Sequence, residues 1–268
     1  WGVSSDGGDS STVDSQLTNV ISISASLYSF AAIRADGSVV TWGHTDFGAD
    51  SSTVADQLTD VLSISATQYA FAAIKADGSV VTWGNENSGG DSSAVSDQLT
   101  NVQSISATQR AFAAIKSDGS VVTWGNATSG GDSSAVTAQL TNIHTLFAAN
   151  HVFSAVKADG SVVTWGYANY GGNSSSIADE LMNVQSISSS GSAFAAIKVD
   201  GSVVTWGSPN SGGNSSAVRN QLTDIQSVSA TNYAFAAIKS DGSVVTWGQS
   251  SYGANSSAVS DQLTNVQS

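Results

Sequence analysis

The sequence predicts an all-β fold, a β-propeller of about seven short blades with one blade incomplete; six blades with a leftover C-terminal segment is the alternative. Three observations carry this reading. Trp-Gly pairs stand at positions 1, 42, 83, 124, 165, 206 and 247, so one supersecondary unit recurs every 41 residues without an insertion. Each period holds three or four short β-branched or apolar runs separated by turn formers, the size of one blade. Neither a 3.6-residue apolar stripe nor the shorter period of a β-helix is present.

One period, residues 101–134, justifies the elements in order. Val102, Ile105 and Ala107 open an apolar segment, Thr108-Gln109-Arg110 interrupts it, and Phe112 to Ile115 resumes it, which predicts two strands joined by a loop. Lys116-Ser117-Asp118-Gly119 is a turn signal, because Gly accepts positive φ and Asp can bond its own backbone. Ser120 to Trp124 follows as a β-branched third strand. Residues 126–134 are turn formers, and Val136 to Leu140 reads as an outer strand or one irregular helical turn. Phe30, Phe71, Phe112, Phe153, Phe194 and Phe235 recur with small Ala pairs behind them, a pattern suited to crowding one blade against the next.

The uninterrupted period makes residues 1–268 a single repeat domain. Seven Trp-Gly pairs face only six hairpins, and the chain is 19 residues short of seven full periods. A piece of a seven-bladed or longer array is therefore expected. Eight Lys plus Arg against 21 acids give a net charge of −13, which argues against nucleic acid and anionic membrane surfaces as partners. No apolar run is long enough for membrane insertion. Cysteine is absent, so disulfides and thiolate metal sites are excluded. The acidic composition, rich in Ser, Thr, Gly and Asp, suits a secreted or cell-surface protein.

Residues 111–125, Ala-Phe-Ala-Ala-Ile-Lys-Ser-Asp-Gly-Ser-Val-Val-Thr-Trp-Gly, resemble the repeat of the regulator-of-chromosome-condensation family, with its apolar strand, Asp-Gly turn and Trp-Gly end. In repeat length the chain is similar to the compact bacterial β-lactamase-inhibitor propeller of that family. The resemblance implies a propeller, commonly of seven blades, used for protein binding. Where the family often places a His after an aromatic residue, this chain has Ser29, Ala70, Ala111, Val152, Ala193 and Ala234.

Strand direction places the loop before each Phe and the residues after each Trp-Gly at one end of the blade, with the Asp-Gly turn at the other. These two loops are also where the repeats differ, so the stacking does not dictate them. Tyr28, Phe47, Tyr69, Arg110, His151, Tyr170, Tyr233 and Tyr252 lie there, and Tyr and Arg are the residue types of binding hot spots. These eight are the candidate binding residues.

Other chemistry is sparse. Only His44, His144 and His151 exist, without the carboxylates or third ligand that a triad or metal site needs. The Gly-Gly-Asp-Ser-Ser motif at 7–11, 89–93 and 130–134 supplies one acid per blade, too few oxygens for calcium, and Asn173, Asn214 and Asn255 replace the acid in later repeats. A capping or Asx-turn role fits both Asp and Asn. The Asn-Ser-Ser triplets and Asn126-Ala127-Thr128 also match the glycosylation pattern. Arg34, Lys75, Lys116, Lys157, Lys198 and Lys239 read as a solvated ring pairing with the Asp-Gly turns. No catalytic residue, metal or cofactor is expected. A non-enzymatic protein-binding scaffold follows, with a carbohydrate-binding, lectin-like propeller or part of a large secreted adhesin as alternatives.

Overall fold

The computed structural model describes residues 2–267, so Trp1 and Ser268 lie outside the described residues. Two compact units, residues 1–141 and 142–268, divide the chain. The first holds sheet 1 (β1 Val20–Ala25, β2 Ser29–Arg34, β3 Val39–Gly43), sheet 2 (β4 Val61–Ala66, β5 Ala70–Lys75, β6 Val80–Gly84) and sheet 3 (β7 Val102–Ala107, β8 Ala111–Lys116, β9 Val121–Gly125). The second holds sheet 4 (β10 Ile143–Ala148, β11 Val152–Lys157, β12 Val162–Gly166), sheet 5 (β13 Val184–Ser189, β14 Ala193–Lys198, β15 Val203–Gly207) and sheet 6 (β16 Ile225–Ala230, β17 Ala234–Lys239, β18 Val244–Gly248). Each sheet is an antiparallel meander with the Phe strand in the middle.

The count of blades and strands is now definite: six complete three-stranded blades among the described residues. The segment read as an outer strand or helical turn is a 3₁₀ turn, Thr137–Gln139, and it delivers Leu140 into the core. After sheet 6 come 3₁₀ turns at Ser250–Tyr252 and Ser257–Gln262. Asn265 then takes φ 57° and the Val266 N–H donates to the Gly242 carbonyl at 3.0 Å, the arrangement that precedes β16, where Ile225 bonds Gly201.

Side-chain alternation along the middle strand gives each blade two faces. In β5, Phe71 and Ala73 pack with Ala31 and Ile33 of sheet 1, while Ala70, Ala72 and Ile74 pack with Phe112, Ala114 and Trp124 of sheet 3. The second unit repeats this: Phe194 and Ala196 meet Val152 and Val156, and Ala193, Ala195 and Ile197 meet Phe235 and Trp247. Phe71, Phe112, Phe153 and Phe194 are wholly buried. Burial of each such ring stabilises by roughly 1.5–3 kcal/mol. The small Ala residues opposite let neighbouring sheets approach.

Hydroxyls tie the turns to these sheets. The Thr before each Trp bonds the Ser ten residues on, for example Thr82 to Ser92 and Thr205 to Ser215 at 3.0 Å. The indole N–H of Trp42, Trp83, Trp124 and Trp247 reaches back to a Gly carbonyl of the preceding repeat, as in Trp83 to Gly48 at 2.9 Å and Trp124 to Gly89 at 3.1 Å. At Trp206 the buried indole N–H has no partner among the described residues. The turn it would reach, Tyr170–Gly171, also lacks its tether, because Ala149 stands where Thr67 or Thr108 donates to the equivalent carbonyl.

The fourth repeat carries a second departure. Ser154 is fully buried, occupies the place of Ala72 and Ala113, and its hydroxyl has no partner among the described residues. An unpaired buried hydroxyl costs about 1–3 kcal/mol. Ser154→Ala is therefore expected to raise stability by about 1 kcal/mol or more in urea unfolding, and a lower midpoint would show that the hydroxyl is paired.

Candidate functional site

The site is assembled by backbone bonds between loops. In the first unit the turns between first and second strands are strung together, Leu27 N–H to the Gln68 carbonyl at 3.0 Å and Gln68 N–H to the Gln109 carbonyl at 2.9 Å. This fixes the spacing of the next residue in each turn, Tyr28, Tyr69 and Arg110. Ser26, Thr67 and Thr108 hold each turn by accepting the N–H three residues on at 3.0–3.1 Å and donating to the carbonyls of Phe47, Ser88 and Ser129. The residue after Trp-Gly is bound to the same loop, since the N–H groups of His44, Asn85 and Asn126 donate to the carbonyls of Tyr28, Tyr69 and Arg110, each at 2.9 Å.

Four of the eight sequence candidates come together here. Ring centroids of Tyr28 and Phe47 lie 5.2 Å apart, Phe47 and Tyr69 4.8 Å, and Tyr28 and Tyr69 6.1 Å. The Arg110 guanidinium sits 5.7 Å above the Tyr69 ring. The rings are half-buried and Arg110 is exposed. They border an open concavity of about 640 Å³ completed by Ser5, Asp6, His44, Asn85, Asn87 and Ser88. In the second unit His151 and Tyr170 are 5.9 Å apart, and Tyr233 and Tyr252 4.5 Å, as two separate groups.

The candidate list omitted His44 and Tyr167. The His44 ring lies 4.5 Å from Phe47, and its Nδ1 accepts the Asp46 N–H at 3.3 Å; Tyr167 packs edge-on to Tyr170 at 4.8 Å. Both stand directly after a Trp-Gly pair, the position whose backbone is bonded to the preceding loop, and that was the available signal.

The acids have local work. Asp91 and Asp132 accept the N–H of the Ser two residues on at 2.8 and 2.9 Å, which holds their carboxyls below the ordinary range. Asn173 and Asn214 accept the same bond at 3.0 Å, so the turn needs an oxygen and not a charge. At the Asp-Gly turns the Ser hydroxyl two residues on donates at 2.6 Å and its N–H at 2.9–3.0 Å, lowering the Asp pKa. This corrects the expected ring of ion pairs: Ser is the main partner of these acids. Lys75 and its counterparts add a smaller attraction, and Arg34 stands 3.8 Å from Asp36. Among the described residues no three His, Cys, Asp or Glu gather to hold a metal, and no helix is long and apolar enough to cross a membrane.

Residues 225–254, which span sheet 6 and the following turn, match the model of the Regulator of chromosome condensation (RCC1) repeat. No curated protein sequence matches the chain. Among solved structures, yeast RCC1 (Prp20) bound to Kap60 is similar, with a TM-score of 0.52 at 15% identity over 90% of this chain and 72% of that one. So is the Saccharomyces cerevisiae Prp20p studied for binding to Gsp1p and histones, TM-score 0.52 at 16% identity over 89% and 74%. Human WBSCR16 gives 0.53 at 16% identity over 85% and 76%. One repeat carries the family's sequence pattern, the others share its 41-residue period, and the fold is the β-propeller of these solved structures.

Proposed function

We propose that the chain is a non-enzymatic protein-binding scaffold whose principal docking surface is the cluster of Tyr28, Phe47, Tyr69 and Arg110. The observation that carries this is the half-exposed aromatic cluster, set on loops that differ between repeats above stacking residues that do not. Tyr and Arg around a central apolar patch is hot-spot composition. The rings lie 4.8–6.1 Å from one another, too close to admit a sugar ring or a methylammonium group between two of them, which needs about 7 Å for carbon contacts on both sides. They offer their outer surfaces to a partner instead.

Charge narrows the partner's chemistry. Residues 1–141 hold 14 acids and 4 basic residues, against 7 and 4 in residues 142–268. Asp46 and Glu86 are exposed on the same loops as the cluster. A protein surface with basic residues around an apolar centre is steered to such a field. The similar yeast propeller is described with Gsp1p and histones, which supports a protein partner by likeness of fold. His151, Tyr170, Tyr233 and Tyr252 are the corresponding candidates in the second unit, and a secreted or cell-surface setting belongs to the same proposal.

Affinity capture with the wild-type chain and with Tyr28→Ala/Tyr69→Ala, beside a glycan array, tests this. The variant should lose at least tenfold in partner capture, as truncation of hot-spot residues costs about 2 kcal/mol or more, with its circular-dichroism melting curve nearly unchanged. Equal capture by both proteins, or a glycan signal that the double variant abolishes, would overturn it.

A further inference from the structure

The concavity beside Tyr69 is not uniformly acidic. Of the four basic residues among 1–141, Arg34, Lys75 and Lys116 stand at Asp-Gly turns, and Arg110 alone stands at the end that carries the aromatic rings. Tyr28 and Tyr69 hold the same place in their repeats, so blade stacking does not require a cation there. The Arg110 guanidinium lies 5.7 Å from the Tyr69 ring centroid, is exposed, and has no acid or hydrogen-bond partner among the described residues. Contact with the ring face positions it while its N–H donors stay open.

Two side-chain amides join it along the lining. Asn126 spends its side-chain oxygen on its own turn, accepting the Ser129 N–H at 3.1 Å and the Thr128 hydroxyl at 2.7 Å. Asn85, at the same position one repeat earlier, makes neither bond, and the Asn87 amide is equally unengaged among the described residues. Because the Asn85 N–H is bonded to the Tyr69 carbonyl, Asn85 and Arg110 both stand beside Tyr69. Asp6, which holds the place of Phe47 one repeat earlier, also lines the concavity, and Asp46 and Glu86 are exposed on the loops around it.

We propose that this concavity captures the C-terminal residue of a partner chain, an aromatic residue whose ring lies on the outer surface of the Tyr28, Phe47 and Tyr69 cluster and whose α-carboxylate accepts from Arg110 and the Asn85 and Asn87 amides. The inference rests on the docking surface proposed above and names what enters it. The guanidinium fork matches carboxylate geometry, and the two amides add neutral donors. An internal acidic segment fits less well. In an extended chain successive side chains point to opposite faces, so an aromatic residue and a neighbouring Asp or Glu do not enter together. A C-terminal aromatic residue carries ring and carboxylate on one Cα. Basic residues ahead of it meet Asp6, Asp46 and Glu86, which offsets the repulsion of its carboxylate by an acidic chain.

The probe is the peptide acetyl-Lys-Gly-Lys-Phe with a free carboxylate, titrated into the nitrogen-15-labelled full chain at low salt and followed by NMR. Shifts should saturate as for one site and fall on residues 28, 44–47, 69, 85–87 and 110. The C-terminal amide of the same peptide, and the peptide ending in Ala, should each bind about tenfold more weakly or worse, the factor that a charge-assisted hydrogen bond or a buried ring supplies. Arg110→Leu should weaken the acid to the level of the amide, with the melting curve unchanged because Arg110 is exposed. Equal binding of acid and amide, or saturating shifts confined to other residues, would overturn the proposal. If Tyr28→Ala/Tyr69→Ala then abolished binding of both peptides, the docking surface would stand without its carboxylate pocket. Absence of any shift at millimolar peptide would also overturn the proposal, while capture of a partner by the wild-type chain tests the docking surface separately.

Discussion

Trp124→Ala is expected to destabilise the chain by about 3–5 kcal/mol, the range for removing a large buried aromatic side chain. Trp124 is 4% exposed, stacked on Phe112 with ring centroids 5.2 Å apart, and packed in a cluster with Ala70, Ala72 and Ile74 of the preceding blade. Its indole N–H donates to the Gly89 carbonyl at 3.1 Å. The substitution thus leaves a cavity between two sheets and deprives a buried carbonyl of its donor. Trp42→Ala should cost less, because Trp42 is only half-buried. Urea unfolding monitored by circular dichroism separates the two; equal losses would show that burial against a preceding blade is not what each Trp supplies.

Gly84→Ala is the second large effect. Gly84 has φ +100°, and an added Cβ would lie 2.8 Å from the Tyr69 carbonyl oxygen and 2.9 Å from the Ala70 Cα. The backbone conformation alone costs an L-residue about 1–3 kcal/mol, and backbone atoms on the clashing side cannot swing away as a side chain could. The clash also falls where the Asn85 N–H donates to Tyr69, so the loop presenting Tyr69 should shift. Gly253→Ala is the control, with φ +105° but no atom within 4 Å of the added Cβ. A smaller loss at 253 than at 84, read from urea midpoints, is the expected outcome. Equal losses would leave only the φ cost.

The Trp-Gly ruler can now be read residue by residue. Thr tethers the following turn through its hydroxyl, Trp spaces one blade from the previous one and bonds its Gly, and Gly permits the crossing loop to touch. The 41-residue period and the Asp-Gly turns were enough to read three strands and one loop-bearing end per repeat, because both depend on local backbone chemistry. Other features were hidden in the same letters. Asn19, Asp60, Asn101, Asn142, Asn183 and Asp224 all take φ 54–59° ahead of a first strand, and only the recurrence of Asn or Asp there, after Thr in five of the six and after Met182 in the other, pointed to it. The first position of each variable loop, Ser26, Thr67 or Thr108, belongs to the scaffold, since its hydroxyl makes the turn. Which candidates meet was not legible either: Phe47 joins Tyr28 and Tyr69 across two repeats, and that follows from blade spacing, which no single period contains.

The cluster around Tyr69 is the proposed docking surface, and amide hydrogen exchange of the chain with and without its captured partner tests that most directly. Protection should appear in residues 26–28, 44–47, 67–69, 85–88 and 108–110, the loops that carry Tyr28, Phe47, Tyr69 and Arg110. Protection confined to the Asp-Gly turns at 35–37, 76–78 and 117–119, at the other end of the same blades, would contradict it.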